Sequence, residues 1–137
     1  SEDAIEGIKL IEKHKPDVVL MDLGLPGMNG IVAMIKVGKF APEIKIIALT
    51  SHDREEEVIA ALSSGASAYC LKDIDPQKLA DVVRDVSAGV CWIDPVVAQM
   101  ALNAFRKLII SAFYLVSRMA KEEFRSLNVN MKFSSIL

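Results

Sequence analysis

Three residues of different chemistry stand out along the chain: a carboxylate at Asp22, a hydroxyl at Thr50 and an ammonium at Lys72. Each closes a short apolar run: DVVLMD over 17–22, IKIIAL over 44–49 before Thr50, and AYCL over 68–71 before Lys72. Singly, each has an ordinary explanation, since strand-end Asp and Thr commonly cap helices and a Lys there is usually solvated. Together they suit phosphoryl transfer. A carboxylate nucleophile can accept a phosphoryl group as an acyl phosphate. An ammonium and a hydroxyl set opposite it stabilise the negative charge spread over the transferring oxygens. A Mg²⁺ ion held by carboxylates and a main-chain carbonyl normally completes such a site.

These side chains meet only if the elements between them bring three strand ends together. Residues 2–14 put Ile5, Ile8 and Ile11 on one face of an amphipathic helix, with Ser1, Glu2 and Asp3 suited to its start and Pro16 stopping it. The run 17–22 reads as a strand buried on both faces. A loop with Gly24, Pro26, Gly27, Asn29 and Gly30 follows, then a weak helix over 30–40 with Ile31, Met34 and Ile35 inward. A second buried strand spans 44–49. The helix at 53–64 carries Val58, Ile59 and Leu62 and stops at Gly65. A third strand spans 68–71, and Leu79, Val82, Val83 and Val86 mark a helix over 75–88.

The order α-β-α-β-α-β-α predicts a doubly wound α/β domain with parallel strands and right-handed crossovers. Ligand chemistry then belongs at the carboxyl ends of the strands, where Asp22, Thr50 and Lys72 fall. From about residue 92 the pattern changes. Leu102, Phe105, Leu108, Ile109, Ala112, Val116 and Met119 predict a long amphipathic helix to about 126, and 128–133 alternates like a weak strand. The sequence thus divides into a domain over 1–90 and a linker with helical tail over 91–137.

Composition narrows the classes. The chain is 52% hydrophobic and 25% charged, with 16 Lys and Arg against 18 Asp and Glu. That composition supports a core, and no basic excess points to nucleic acid. Cys70 and Cys91 form no CxxC or Cys/His cluster, so neither a metal site nor a disulfide scaffold is expected. No secretory signal pattern opens the chain. The apolar stretch 108–116, interrupted by Ser111, is too short to cross a bilayer. A soluble chain in a reducing, cytoplasmic compartment is expected.

With these motifs in view, the chain resembles the response-regulator receiver family of two-component signalling, in its NarL/FixJ-type branch, over roughly residues 1–90. The matching segments are DVVLMD ending in Asp22, LGLPGMNG with Pro26 and Gly30, IIALTS with Thr50, and GASAYCLK with Tyr69 and Lys72. The resemblance implies a flavodoxin-like sheet of strand order 2-1-3-4-5. It implies Asp22 as the phosphoacceptor of a sensor histidine kinase, Thr50 in contact with the phosphoryl group, and Lys72 paired with it. Tyr69 matches the aromatic whose rotamer follows activation. Mg²⁺ would be held by Asp22 and the carbonyl of Gly24. Residues 53–64, 68–71 and 75–88 would form the switch face, and a homodimer would use either that 53–88 face or the tail helix. Such a chain is a signalling module that regulates transcription, not an enzyme.

The chain also departs from that family. A family domain opens with a strand ending in an acidic pair, then a helix and a second strand, whereas this sequence opens at the second helix. The acidic pair for Mg²⁺ is thereby absent, and Glu2 and Asp3, at a helix start, are poor substitutes. Strand 18–21 becomes an apolar edge, to be covered by another chain or by 128–133 folding back. After Cys91 the segment CWIDPVVAQMALNAF looks like the family's linker, and the likeness then ends. Arg106, Lys107, Arg118, Lys121 and Arg125 are interrupted by Glu122 and Glu123, with no helix-turn-helix. DNA contact is therefore expected only from an output domain supplied elsewhere. The alternative reading is a pseudo-receiver, an interaction module that neither binds Mg²⁺ nor accepts phosphate. A phospho-aspartyl hydrolase ranks behind both, lacking a DxD-type motif and a substrate cap. His14 and His52 read as exposed histidines.

Overall fold

The computed structural model describes residues 3–24, 29–51 and 55–127. Their elements run α1 (Ala4–His14), β1 (Val18–Asp22), α2 (Gly30–Phe40), β2 (Lys45–Thr50), α3 (Glu55–Ser63), β3 (Ala68–Leu71), α4 (Pro76–Ser87), β4 (Trp92–Ile93) and α5 (Pro95–Ser126). The four strands form one sheet in the order β1-β2-β3-β4, parallel throughout. Asp3 caps α1, its carboxylate accepting from the Ile5 N–H at 2.9 Å. His14 is exposed in the last turn of α1, while His52 and the 128–133 segment lie outside the described residues.

Helices cover both faces of the sheet, as the alternating order requires. On one face Ala4 and Ile11 of α1, Ala33, Met34 and Val37 of α2, and Val58 and Ala61 of α3 pack with Met21, Ile46, Ala48 and Tyr69. On the other, Val82 and Val86 of α4 pack on Ile47, Ala68 and Cys70. Two inward assignments from the sequence are corrected: Ile5 and Ile35 are exposed. The rows that turn inward contain Ala4 and Ala33, whose small side chains let the helix backbones approach the sheet closely. Cys70 and Cys91 are both free thiols, and burial pushes Cys70 up to about 11.

The strand at 17–22 is not buried on both faces. β1 is an edge strand, and Leu20 is 47% exposed because that face carries only α4. The Leu23 N–H donates to the Leu49 carbonyl at 3.0 Å and the Lys45 N–H to the Asp17 carbonyl at 2.9 Å. By the two-residue alternation of a strand, the Leu20 amide then points away from β2 while that of Met21 points toward it. In hydrogen exchange the Leu20 amide will exchange about 100-fold faster than that of Met21. Equal protection would mean that another strand covers the edge.

β4 is absent from the sequence reading, since two residues carry no periodicity. Trp92 pairs with Ala68 and Ile93 with Tyr69, and Val97 and Met100 enter the α1–α3 core. The first compact unit runs to Leu102. The second unit, Asn103–Leu137, holds the remainder of α5. The stretch 108–116, too short by itself to cross a bilayer, lies within α5, which is long enough to do so and has an 18-residue window of mean hydropathy 1.3. Against a span, Arg106 and Lys107 fall well inside the helix, and each would cost about 3 kcal/mol at a bilayer centre.

Candidate functional site

The register of the sheet sets three strand ends side by side. Asp22 pairs with Leu49 and Thr50 with Leu71, and the Lys72 N–H donates to the Thr50 carbonyl at 2.8 Å. Asp22 and Lys72 meet there: Lys72 Nζ lies 2.8 Å from Asp22 Oδ1, the side chains being 40% and 31% exposed respectively. The Gly24 N–H donates to the same Oδ1 at 2.8 Å. One carboxylate oxygen is thus held by a cation and an amide.

Gly24 and Gly30 of LGLPGMNG make room for this arrangement. A Cβ on Gly24 would sit 2.9 Å from Lys72 Nζ. A Cβ on Gly30 would lie 2.8 Å from Leu23 Cα and 2.9 Å from the Asp22 carbonyl oxygen. Gly30 begins α2, and Asn29 caps that helix by accepting from the Ile31 N–H at 2.9 Å. The helix start is therefore packed directly against the backbone that carries Asp22. The motif by itself points to the Gly24 carbonyl and to Gly30 as a loop residue, but carries no signal for the close approach that requires a glycine at each position.

Thr50 is placed differently. Strand alternation puts its side chain on the face of Ala48 and Tyr69, opposite that of Leu49, Asp22's pairing partner. Its residue is 3% exposed, and among the described residues its Oγ1 has no hydrogen-bond partner. A buried hydroxyl without a partner carries an uncompensated desolvation cost. Thr50→Val, which removes the hydroxyl at nearly constant shape, will raise unfolding free energy by about 1 kcal/mol in urea melts; a loss of similar size would show that the hydroxyl is satisfied.

Tyr69 is buried on the same face, its hydroxyl donating to the Ala61 carbonyl of α3 at 2.8 Å. Burial raises its phenol above the ordinary range. Its backbone carbonyl accepts from the Asp94 N–H at 2.9 Å. The outer edge of β3 is thus occupied by the segment that the sequence assigned to a linker. No sequence signal identifies Ala61 as the partner of Tyr69, because a carbonyl is common to every residue.

A Mg²⁺ ion needs about six oxygen ligands in near-octahedral array. Among the described residues no group of three or more His, Cys, Asp or Glu could hold a metal. Asp22 brings one carboxylate, and its Oδ1 is already engaged by Lys72 and Gly24. The described residues do not fit a Mg²⁺ site.

Comparison with known proteins agrees with this geometry. Residues 1–84 match the response regulator receiver domain. The transcriptional regulatory protein DegU of Brevibacillus brevis is 36% identical over 108 residues, 79% of this chain and 46% of that protein. The uncharacterized transcriptional regulatory protein YhcZ of Bacillus subtilis is 47% identical over 85 residues, 62% of this chain and 39% of that protein. The chain thus spans about half or less of the length of the curated relatives it matches. Among solved structures, a LuxR-family two-component response regulator from Aurantimonas sp. SI85-9A1 superimposes with a TM-score of 0.66 at 32% identity, over 74% of this chain and 73% of that one.

Proposed function

The chain belongs to the response-regulator receiver family, and from that premise we propose that Asp22 accepts a phosphoryl group from a sensor histidine kinase. The observation that supports this most is the 2.8 Å contact between Asp22 and Lys72 at the carboxyl ends of parallel strands. A carboxylate oxygen of Asp22 attacks phosphorus, the N–P bond of the donor phosphohistidine breaks, and the departing imidazole nitrogen takes up a proton. Lys72 stays an ammonium throughout and offsets the charge on the phosphoryl oxygens. Thr50, whose hydroxyl lacks a partner among the described residues, donates to one of those oxygens. Satisfying that hydroxyl favours a repacked state in which Tyr69 leaves Ala61.

A kinase fed by ATP locates this chemistry in the cytoplasm. The matched relatives are named as transcriptional regulators, and the chain covers under half of each. Transcriptional control is proposed to run through DNA contacts made by an output domain, not by residues 1–102. A second reading, a pseudo-receiver that signals by binding alone, is favoured by one observation: the described residues include no cluster of three or more His, Cys, Asp or Glu placed to hold a metal.

One incubation separates the two. The chain is exposed to acetyl phosphate with and without Mg²⁺, and its intact mass is recorded before and after hydroxylamine. A hydroxylamine-labile phosphoryl adduct that disappears in Asp22→Asn supports the phosphoacceptor. A folded chain that forms no adduct under either condition supports the pseudo-receiver.

A further inference from the structure

We infer that the groove between α1 and α2 docks a partner segment whose apolar side chains are flanked by carboxylates. The two helices touch each other on one face of the sheet. Ala4 and Ile11 turn toward the sheet. A helix advances about 100° per residue, so Ile5, Ile8, Lys9 and Glu12 form the next stripe around α1. Lys36, Lys39 and Phe40 form the facing stripe on α2, and the two stripes line a groove of about 490 Å³. Its floor is mostly apolar, with Ile5 50% and Phe40 41% exposed. Its rim carries an excess of one charge: three lysines against the carboxylate of Glu12. Among the described residues no acid pairs with Lys9, Lys36 or Lys39, so their charge is available to a partner.

Two arguments select the occupant. The first is charge complementarity. The lysine stems extend the apolar floor while their ammonium groups stay in water at the rim. An apolar side chain entering the floor therefore brings its neighbours beside a net positive rim, where carboxylates are attracted and cations repelled. The second is shape. From Ile5 to Glu12 the groove runs about 10 Å, two turns of helix, and it stays open to water along one side. Sites for small molecules bury about 70–90% of the ligand, which an open groove does not. An amphipathic helix laid along it buries one face and keeps the other wet. The inference does not depend on the chemistry of Asp22.

Fluorescence polarisation of the whole chain with a short labelled helical peptide, leucines on one face and glutamates on the other, tests it. Binding is expected, and the same peptide with lysines in place of glutamates binds at least about 10-fold more weakly. The double variant Lys36→Glu, Lys39→Glu weakens binding of the acidic peptide at least about 10-fold. Ile5→Ser weakens it about 5-fold, the loss of one apolar anchor. Lys78→Glu makes the same charge change on α4, across the sheet, and leaves binding unchanged. Urea melts of each variant verify that the fold persists. Amide resonances that shift with the acidic peptide are expected over 5–12 and 36–40. No binding, equal binding of the two peptides, an equal loss in Lys78→Glu, or shifts confined to α5 overturns the inference. Groove resonances that move with chain concentration alone would assign the groove to a second copy. Shifts produced there by decanoate but not by the peptide would assign it to a small amphiphile, and either result also overturns the inference.

Discussion

Lys72→Met will form the Asp22 adduct about 100-fold more slowly than the parent chain, while its stability stays nearly the same. The methionine keeps the length and apolar stem of the lysine and deletes only the charge. In the structure that charge stands 2.8 Å from the carboxylate that must accept a phosphoryl group. A positioned cation matters most where negative charge develops, and losing one such donor costs about 100- to 1,000-fold in rate. The folded state loses much less. Both partners are substantially exposed, and ion pairs of that kind contribute about 0.2–1 kcal/mol in water. Time courses of intact mass with acetyl phosphate, set beside urea melts, measure the two effects separately. An unchanged rate would remove Lys72 from the chemistry, and a collapse in stability would make it a structural residue.

Gly30→Ala will lower unfolding free energy by about 3 kcal/mol, whereas Gly38→Ala, in the same helix, will raise it by about 0.5–1 kcal/mol. The two glycines share an element and differ in surroundings. A Cβ on Gly38 meets nothing within 4 Å, so alanine there gains helix propensity and stiffens the unfolded chain. A Cβ on Gly30 runs into Leu23 Cα at 2.8 Å and the Asp22 carbonyl oxygen at 2.9 Å. Both obstacles are backbone and cannot swing aside like a side chain. The strain has to be released by shifting α2 or the end of β1, which moves Asp22 relative to Lys72. Paired urea titrations of the two variants are the measurement. Equal effects would mean that the close approach of α2 to Asp22 is not a constraint on the fold.

Much of this arrangement is legible in the order of residues, and its limits have physical causes. Val82 and Val86 belong to a strict helical repeat and are both fully buried on the α4 face, as that repeat requires. Strands 44–49 and 68–71, bounded by turn residues and rich in Ile, Leu and Ala, can sit only inside a covered sheet, and they do. Asp22 and Lys72 could be placed on one rim because parallel strands share a direction, and their contact needs in addition the register that sets both side chains on one face. Thr50 shows what direction does not decide. Its neighbourhood depends on the face its side chain takes, and a one-residue difference in strand length reverses that face.

Ile5 and Ile35 failed for a related reason. Each helix has two overlapping apolar rows, and the choice between them rests on which row lets the backbone approach the sheet. β4 and the entry of Val97 and Met100 into the core are tertiary facts with no local signature. The edge position of 18–21, where Leu20 is exposed, agrees with what the family resemblance implied, although an apolar run by itself reads the same at the centre of a sheet and at its edge.

Chemical trapping at residue 22 is the most direct examination of the whole account. Borohydride reduces an aspartyl phosphate to homoserine, so treatment after acetyl phosphate converts the acceptor into a residue that peptide sequencing by mass spectrometry locates. Homoserine at position 22 alone, and none in Asp22→Asn, is the predicted outcome. Homoserine at a different acid, or at none while the chain remains folded, would contradict it.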